Sequence, residues 1–242
     1  MKKAVRLDKF LADAGAGTRS EVKKFIQKGK VQVNGVPAKK SEIKVSEEDE
    51  VVLDGNRISQ APEFVYYLLH KPAGYVSATE DKRDKTVMEL VASDRKDLFP
   101  VGRLDKDSEG LLLLTNQGDL VNRIMRAGNY HEKEYAVTVD KEINEEFLRG
   151  MRNGVPILDT VTRPCTVRKT GKRSFQIILT QGLNRQIRRM CEYFGYQVQT
   201  LKRVRIMNLT LDGLKPGEYR DIRAEERVEL NSRIRNSSSE TI

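Results

Sequence analysis

The pattern of apolar residues in the first sixty positions predicts two short helices. Apolar side chains recur every three or four residues across 7–14 and again across 22–26, the spacing of one buried helix face. Gly15 and Gly17 interrupt the pattern, and Thr18 with Glu21 fits a capping box at the start of the second helix. Two helices separated by a tight turn are therefore expected at the amino terminus.

Short strands and tight turns are expected to follow these helices. Residues 31–33 alternate between apolar and polar and lead into Asn34-Gly35, a strong signal for a two-residue hairpin turn. A second apolar stretch at 51–53 runs into Asp54-Gly55, which has the same character. The amino-terminal region is thus predicted to be two small helices packed on short strands.

The remainder of the chain contains more predicted strands than helices. Runs at 64–69 and 110–115 are continuously apolar, as in strands buried on both faces, and 135–139 and 174–180 alternate with period two. Helical spacing is found at 119–127 and 186–194, with a short helix at 86–90 and a strand-rich stretch at 197–211. Because the strands do not alternate regularly with helices, we predict an α+β fold with a mostly antiparallel mixed sheet.

A polar segment that contains Pro62 separates the two patterns, at residues 56–64, and is expected to be a linker. The predicted organisation is a small domain at 1–60, a larger domain at 63–235 and a flexible serine-rich tail at 236–242.

The distribution of charge adds to the picture that the apolar pattern gives, because the basic residues are concentrated in two parts of the chain. The formal net charge is +9, and residues 1–44 hold twelve Lys and Arg against four acids. A second block, 181–205, holds six Lys and Arg against one acid. A charge that served solubility alone would be mixed in sign. The segregation indicates two surfaces that contact a polyanion, most simply nucleic acid.

Several classes of protein are excluded by composition. No apolar run approaches the roughly 20 residues of a membrane span, and the basic amino terminus has no apolar stretch typical of a signal peptide. Two cysteines and two histidines cannot form the usual four-ligand structural zinc site or a disulfide scaffold. We therefore expect a cytoplasmic protein without metal, with Cys165 and Cys191 as buried, unreactive side chains.

Asp105 is the main candidate for chemistry. It lies in a polar turn, 102–110, between two apolar segments, and turns on rigid supports often present functional groups. Spacing alone favours the alternative of a solvated turn whose Asp and Ser side chains hydrogen-bond the backbone. Within the same turn, Asp107 is expected to help hold the loop.

The amino-terminal motifs resemble a known RNA-binding module. Arg6-Leu7-Asp8-Lys9-Phe10-Leu11, the glycine turn, Arg19-Ser20 and Gly29-Lys30-Val31-Gln32-Val33-Asn34-Gly35 are similar to an S4 domain of the αL type. The resemblance implies contact with structured RNA through the second helix and the hairpin. The expected RNA-binding residues of this module are Arg6, Arg19, Lys23, Lys24 and Lys28.

The larger domain resembles the RNA pseudouridine synthases. Gly102-Arg103-Leu104-Asp105, followed by Ser108 and Gly110-Leu111-Leu112-Leu113-Leu114-Thr115, is similar to the motif that carries their catalytic aspartate. Leu69 to Ser77, Lys133-Glu134-Tyr135 and Gly182 to Met190 resemble three further motifs in family order. The S4 module in front is typical of the branch that modifies ribosomal RNA. Within that branch, residues 126–135 and 181–191 look closest to members that act on RNA of the large ribosomal particle.

The resemblance implies a role for each matching residue. Asp105 would attack C1′ of the uridine or act as a base on the ribose, and Arg188 would pair with it. Tyr135 would stack on the uracil, Ile187 would pack against the base, and Arg103 would fill the gap left when the uridine is flipped out. The remaining residues expected to bind RNA in this domain are Arg185, Arg189 and Lys133.

The implied reaction breaks the N1–C1′ bond of uridine, turns the uracil and rejoins it through C5. Nothing is oxidised and no group is lost, so no cofactor is expected. The expected substrate is 23S rRNA, alone or in a pre-ribosomal particle, with a tRNA anticodon stem-loop as a second candidate. A monomer without a membrane partner is expected.

Two other functions remain open from the residues alone. One is a non-catalytic, S4-type ribosome-assembly factor whose catalytic fold is idle. The other is a glycosidase in which Asp105 works with Asp107 or Glu109 as a carboxylate pair.

Overall fold

A computed structural model describes residues 4–46, 48–58, 64–91, 95 and 97–238, and the chain divides into two compact units. The first unit contains the described residues up to Val65 and two short later segments that end at Leu98 and Gly118. The second unit contains the other described residues. Most of the predicted linker, at 59–63, and the last residues of the predicted tail, 239–242, lie outside the described residues.

The first unit consists of two helices and six short strands. Its elements are β1 (Val5–Arg6), α1 (Leu7–Asp13), α2 (Arg19–Gln27), β2 (Val31–Val33), β3 (Val36–Pro37), β4 (Lys44–Val45), β5 (Val51–Leu53) and β6 (Asn56–Arg57). The strands form a four-stranded sheet in the order β3-β2-β5-β6 and a separate β1-β4 pair.

Signals within a few residues of one another account for the start of α2 and for the two tight turns of this unit. The Thr18 hydroxyl accepts a hydrogen bond from the Glu21 amide and the Glu21 carboxylate accepts one from the Thr18 amide, so the predicted capping box is confirmed. Both predicted turns have positive φ at each central residue, with values of 51° and 78° for Asn34-Gly35. The two helices and the strands share a core of buried aliphatic side chains that includes Leu11 and Ile26.

The second unit is built on one large sheet. Its strands are β7 (Tyr66–Lys71), β8 (Phe99–Pro100), β9 (Glu109–Thr115), β10 (Lys133–Val139), β11 (Pro156–Ile157), β12 (Thr160–Val161), β13 (Thr166–Gly171), β14 (Ser174–Leu179), β15 (Val198–Ile206), β16 (Leu209–Thr210) and β17 (Tyr219–Asp221). Its helices are α3 (Gly118–Met125), α4 (Glu145–Asn153), α5 (Gln186–Tyr193) and α6 (Ala224–Ile234), with short 3-10 helices at Val87–Leu90 and Ala127–Asn129.

The strand order of the large sheet is β13-β14-β10-β15-β9-β7-β17, with β16 on β15 and β8 on β9. Strands β15 and β9 run parallel, whereas β13/β14, β14/β10, β10/β15, β15/β16 and β17/β7 are antiparallel. The predicted α+β class with a mostly antiparallel mixed sheet is confirmed.

The hydrophobic pattern matches the position of each strand. Strand β9 lies between two neighbours inside the sheet, and its residues from Gly110 to Thr115 are all buried. Strand β14 buries every second residue, as its alternation predicts. The apolar face of α5, which includes Met190 and Cys191, belongs to the same core as β10 and β14.

The sequence pattern did not predict two of the helices of the second unit. Helix α4 is capped by Asn144, whose side chain accepts a hydrogen bond from the Phe147 amide, and it buries three apolar residues. Helix α6 buries only Leu230 and Ile234 along eleven residues, so its sequence carries little helical periodicity. Beyond α6, the Ser238 amide donates to the side chain of Asn129.

Candidate active site

The loop that carries Asp105 is held by the segment that follows β7. The Ser77 hydroxyl donates to the Leu104 carbonyl at 2.9 Å and accepts from the Leu104 amide at 3.0 Å. The Gly74 amide donates to the Lys106 carbonyl at 2.7 Å. These bonds secure the backbone on both sides of Asp105, so its carboxylate is presented from a restrained loop.

Lys71 also holds this loop in place. Its ammonium group is fully buried and donates to the carbonyls of Pro72, Lys106 and Ser108, the last at 2.7 Å. Burial lowers the pKa of Lys71 to about 8, although the nearby charges of Asp107 and Asp105 oppose that shift. Lys71 therefore shapes the loop through a buried cation.

The carboxylate of Asp105 pairs with Arg185 rather than with Arg188. Arg185 Nη1 lies 3.4 Å from Asp105 Oδ2, and the Asp105 side chain is one-third exposed. Arg188 instead reaches Asp107, with Nη2 3.2 Å from its Oδ2. The prediction that Arg188 pairs with Asp105 is wrong in this structure. The reason is the position of Arg185, which begins α5 in a left-handed conformation and faces both aspartates.

Arg188 lies in α5 and nevertheless contacts the loop that carries Asp105. Its side chain is 9% exposed, and its guanidinium lies within hydrogen-bonding distance of the Asp107 carbonyl, at 3.4 Å, and of the Ser108 hydroxyl, at 3.5 Å. Arg188 is thus a positioning group for the residues that follow Asp105.

The two acids next to Asp105 are ionised partners of cations. Burial would raise the pKa of Asp107, but the hydrogen bond from Arg185 and the charge of Arg188 lower it. The pKa of Glu109 is likewise lowered, since hydrogen bonds from His70 and Lys202 outweigh burial. A glycosidase needs a general acid with a raised pKa, so this geometry does not favour that alternative.

A cavity of about 380 Å³ lies beside Asp105. Six of the residues singled out in the sequence line it: Arg103, Asp105, Lys133, Tyr135, Arg185 and Ile187. The fold therefore brings one carboxylate, one aromatic ring and several cations to a single concave site, although they come from separate segments of the chain. Arg188 and Arg189 are not among the residues that line it.

The predicted role of the second basic block needs correction, whereas Lys133 stays a predicted RNA-binding residue that lies inside the cavity. Lys133 is only 1% exposed, so it cannot contact a phosphate on the outer surface, and it faces the cavity instead. Arg203 is equally buried and lines the same cavity, a position that no sequence motif indicated. Arg205 is paired with Glu132 and Glu134. The block at 181–205 is therefore not a continuous phosphate-binding strip, because strand β15 directs these side chains to different partners.

The first unit presents an exposed basic face on α2. Arg19, Lys24 and Lys28 are exposed, and no carboxylate within 4.0 Å of them is found in the part of the chain that the structure describes. Lys23 lies 3.8 Å from Asp8, and Arg6 makes a two-pronged hydrogen bond to that carboxylate. The charge of Arg6 is thus compensated by Asp8. The cations of this face that have no such partner among the described residues are Arg19, Lys24 and Lys28.

The histidines and cysteines of the chain do not form a chemical site. His70 is buried between the Glu109 carboxylate at 2.8 Å and the Leu214 carbonyl at 2.6 Å. Burial raises the pKa of the Cys165 thiol to about 11 and that of Cys191 to about 12, so both are unreactive at neutral pH.

Among the described residues, no group of three or more His, Cys, Asp and Glu side chains could hold a metal ion. In the same part of the chain, no helix is both long and apolar enough to cross a membrane.

Comparisons of the chain with known protein families and relatives agree with the site described above. Residues 65–193 match the RNA pseudouridylate synthase family and residues 5–51 match the S4 domain family. The chain is 51% identical over 239 residues to the dual-specificity RNA pseudouridine synthase RluF of Escherichia coli K12, covering 98% of this chain and 82% of that protein. It is 35% identical to the ribosomal large subunit pseudouridine synthase B of Bacillus subtilis, covering 91% and 93% respectively.

A crystal structure of a pseudouridylate synthase superposes with a TM-score of 0.69 at 29% identity, covering 93% of this chain and 99% of that one. The fold and the site thus define an RNA-modifying enzyme with an S4 module. The chain belongs to the RNA pseudouridine synthase family.

Replacing Lys71 tests the clamp on the Asp105 loop. We expect Lys71→Met to lower the free energy of unfolding by roughly 1–3 kcal/mol, because buried carbonyls lose their donor, and to reduce activity at least about tenfold. Urea denaturation followed by circular dichroism measures the first effect. Lys106→Met is the matched control: that exposed lysine pairs with Asp84 at the surface, so a change under about 1 kcal/mol is expected. Equal stability of the two variants would contradict the role of Lys71.

Proposed function

We propose that this enzyme converts a uridine of 23S rRNA to pseudouridine through Asp105. The observation that carries the proposal is the partly exposed Asp105 carboxylate, which lies at the cavity beside Tyr135 and is paired with Arg185. A carboxylate that an arginine positions beside an aromatic ring suits a flipped-out nucleotide.

The chemistry needs only this carboxylate and the nucleotide itself. Asp105 either attacks C1′ as a nucleophile, with the N1–C1′ bond breaking, or removes the C2′ proton to give a glycal. In both routes the uracil then turns and forms a bond from C5 to C1′. The pairing with Arg185 positions the Asp105 carboxylate before the base arrives.

The surrounding side chains support the flipped nucleotide. Tyr135 is partly buried on β10 and lines the cavity, where its ring can stack on uracil. Ile187 is buried in α5 and also lines the cavity, so it gives the base an apolar contact. Arg103 is exposed at the rim, where it is placed to enter the space vacated by the uridine. Arg188 acts one step away, by holding Asp107 and Ser108.

The S4 module supplies sequence-independent affinity. We assign it to residues 1–60, ahead of a catalytic domain at 63–235 and a tail at 236–242, and place the RNA backbone along Arg19, Lys24 and Lys28. Arg189 is half-buried and bonded to Asn184, so its contribution would be secondary.

Neutralising this basic face should weaken RNA binding and its salt dependence. We expect the combined change of Arg19, Lys24 and Lys28 to Ala to reduce the slope of log affinity against log salt by about 2–3, because each lost phosphate contact removes nearly one unit. Filter binding of 23S rRNA at several salt concentrations measures it.

The control for that experiment removes three cations that already have partners. Lys9, Lys30 and Arg57 pair with Asp13, Asp54 and Glu50 respectively. Their combined replacement by Ala changes the net charge equally. A similar fall in slope for both triple variants would show that net charge, and not this face, drives binding.

The relative in Escherichia coli is named a dual-specificity enzyme, so a tRNA anticodon stem-loop is the second substrate that we propose. Ribosomal and transfer RNA place the reaction in the cytoplasm, and one chain contains every residue invoked here, which is compatible with a monomer.

The proposal is tested with purified enzyme and RNA transcripts that carry tritium at C5 of uridine. Forming the C5–C1′ bond releases that hydrogen to water, so tritium release counts turnovers. We expect release from 23S rRNA that stops after one uridine per molecule, and a smaller or equal release from tRNA. No release from either RNA would favour a non-catalytic assembly factor.

A further inference from the structure

Two buried cations on neighbouring strands face the cavity, and neither has a carboxylate partner among the described residues. Lys133 lies on β10 and Arg203 on β15, and each is 1% exposed and lines the cavity beside Asp105. Arg203 is the direct cross-strand partner of Tyr135, and Lys133 lies two residues before it, so all three share one face of the sheet. The cations therefore flank the ring on which the base would stack.

The hydrogen bonds of these side chains leave their charges uncompensated. The Lys133 ammonium donates to the His131 carbonyl at 3.1 Å, and Arg203 Nε donates to the Leu111 carbonyl at 2.8 Å. Arg203 Nη2 is buried and has no hydrogen-bond partner in the described structure. Within those same residues, no Asp or Glu oxygen lies within 4.0 Å of either cation.

Two buried cations without a counter-charge destabilise the protein unless an anion binds beside them. Two like charges buried side by side are each desolvated and repel one another, and both effects destabilise the folded protein. Burial, and then the charge of Arg203, lowers the pKa of Lys133 to about 8. Uncompensated charge aimed at a reaction site is a means of stabilising charge that develops in the transition state.

We propose that Lys133 and Arg203 stabilise the negative charge of the uracil when it leaves C1′. This inference rests on the proposed function. When the N1–C1′ bond breaks, its electron pair departs with N1 and the charge spreads over N1, O2 and O4. The charge is consumed when C5 bonds to C1′; C5 then loses its proton and N1 gains one, so no further reactant is required.

The burial of the two cations favours the base over a phosphate as their partner. Phosphates stay with the RNA strand outside the cavity when a nucleotide is flipped, whereas the base enters it. Side chains that are 1% exposed are reached only by the inserted group.

The ionisation of Lys133 gives the inference a pH signature. The charged or titratable groups that share its surroundings are Arg203 on β15, Tyr135 and His131 near its own strand, Asp105 on the loop and Arg185 at the start of α5. Lys133 must be protonated to act, so the single-turnover rate should fall as the pH rises through about 8. Lys71 has a pKa in the same region and is the rival source of such a fall.

The test uses the full-length enzyme and C5-tritiated 23S rRNA transcript under single-turnover conditions. We expect Lys133→Met to reduce the rate of the chemical step about a hundredfold or more, as with loss of one oxyanion donor, while the Kd for the RNA changes less than about twofold. Lys133→Arg, which stays charged at every pH used, should recover most of the rate and abolish the fall near pH 8. Lys71→Arg should leave that fall in place.

Several results would overturn the inference. A weaker Kd with an unchanged single-turnover rate in Lys133→Met would mean that the cations hold an RNA phosphate. Unchanged rate and Kd would mean a purely structural role. If Lys133→Met does not fold, the pH profile of Lys133→Arg decides, since a persistent fall near pH 8 contradicts the proposal. Failure of the proposed function differs from all of these, because wild-type enzyme would then release no tritium.

Discussion

Asp105→Asn should abolish pseudouridine formation, with a loss of at least about a thousandfold in the rate of tritium release. Asparagine has the size of aspartate but cannot attack C1′ or accept the ribose proton. The loop bonds that involve the backbone of Leu104 and Lys106 do not depend on the Asp105 side chain. We therefore expect the variant to fold and to bind 23S rRNA with nearly wild-type affinity.

Asp107→Asn is the matched control for this experiment. Asp107 is two residues away and shares Arg185 with Asp105, but its pKa is lowered by structural partners and it does not line the 380 Å³ cavity. We expect its loss to reduce activity by roughly tenfold, through the loop. If Asp107→Asn were inactive while Asp105→Asn kept its activity, the catalytic assignment would be wrong.

Gly110→Ala should destabilise the protein more than any other single change discussed here. Gly110 has φ near +120°, and a Cβ at this position would lie 2.2 Å from the carbonyl oxygen of Arg203 and 2.5 Å from its amide nitrogen. The two residues are partners in the parallel pairing of β9 with β15, so the strands would have to separate. A loss of roughly 3–5 kcal/mol in the free energy of unfolding is expected.

The control for Gly110→Ala is Gly118→Ala. Gly118 begins α3 without a positive φ, and among the described residues a Cβ there would meet nothing within 4 Å. Alanine should stabilise this position by up to about 1 kcal/mol. Urea denaturation followed by circular dichroism measures both variants. Wild-type stability of Gly110→Ala would contradict the close approach of β9 and β15.

The elements that the sequence predicted best are those governed by neighbouring residues. The capping box at Thr18 and the turns at Asn34-Gly35 and Asp54-Gly55 depend on side chains and backbone within a few positions, and all three are present. The period-two pattern of β14 and the apolar run 110–114 of β9 likewise indicate how each strand is buried. Helix α6 was missed because only two of its residues are buried.

The candidate site was predictable in its members but not in its pairings. Sequence motifs pointed to Asp105, Tyr135 and Arg185, and all three line one cavity. Which arginine reaches Asp105 depends on the start of α5 and on the left-handed backbone of Arg185, and no local pattern encodes that. The burial of Arg203 depends on the pairing of β15 with β10 and β9, strands far apart in the chain.

The modification of 23S rRNA through Asp105 is tested most directly by a map of pseudouridine in the 23S rRNA and tRNA of a strain that lacks the gene for this chain. We expect that one uridine of 23S rRNA is no longer modified in this strain, that the wild-type gene restores the modification and that the Asp105→Asn gene does not. A map identical to that of the parent strain, or restoration by Asp105→Asn, would contradict it.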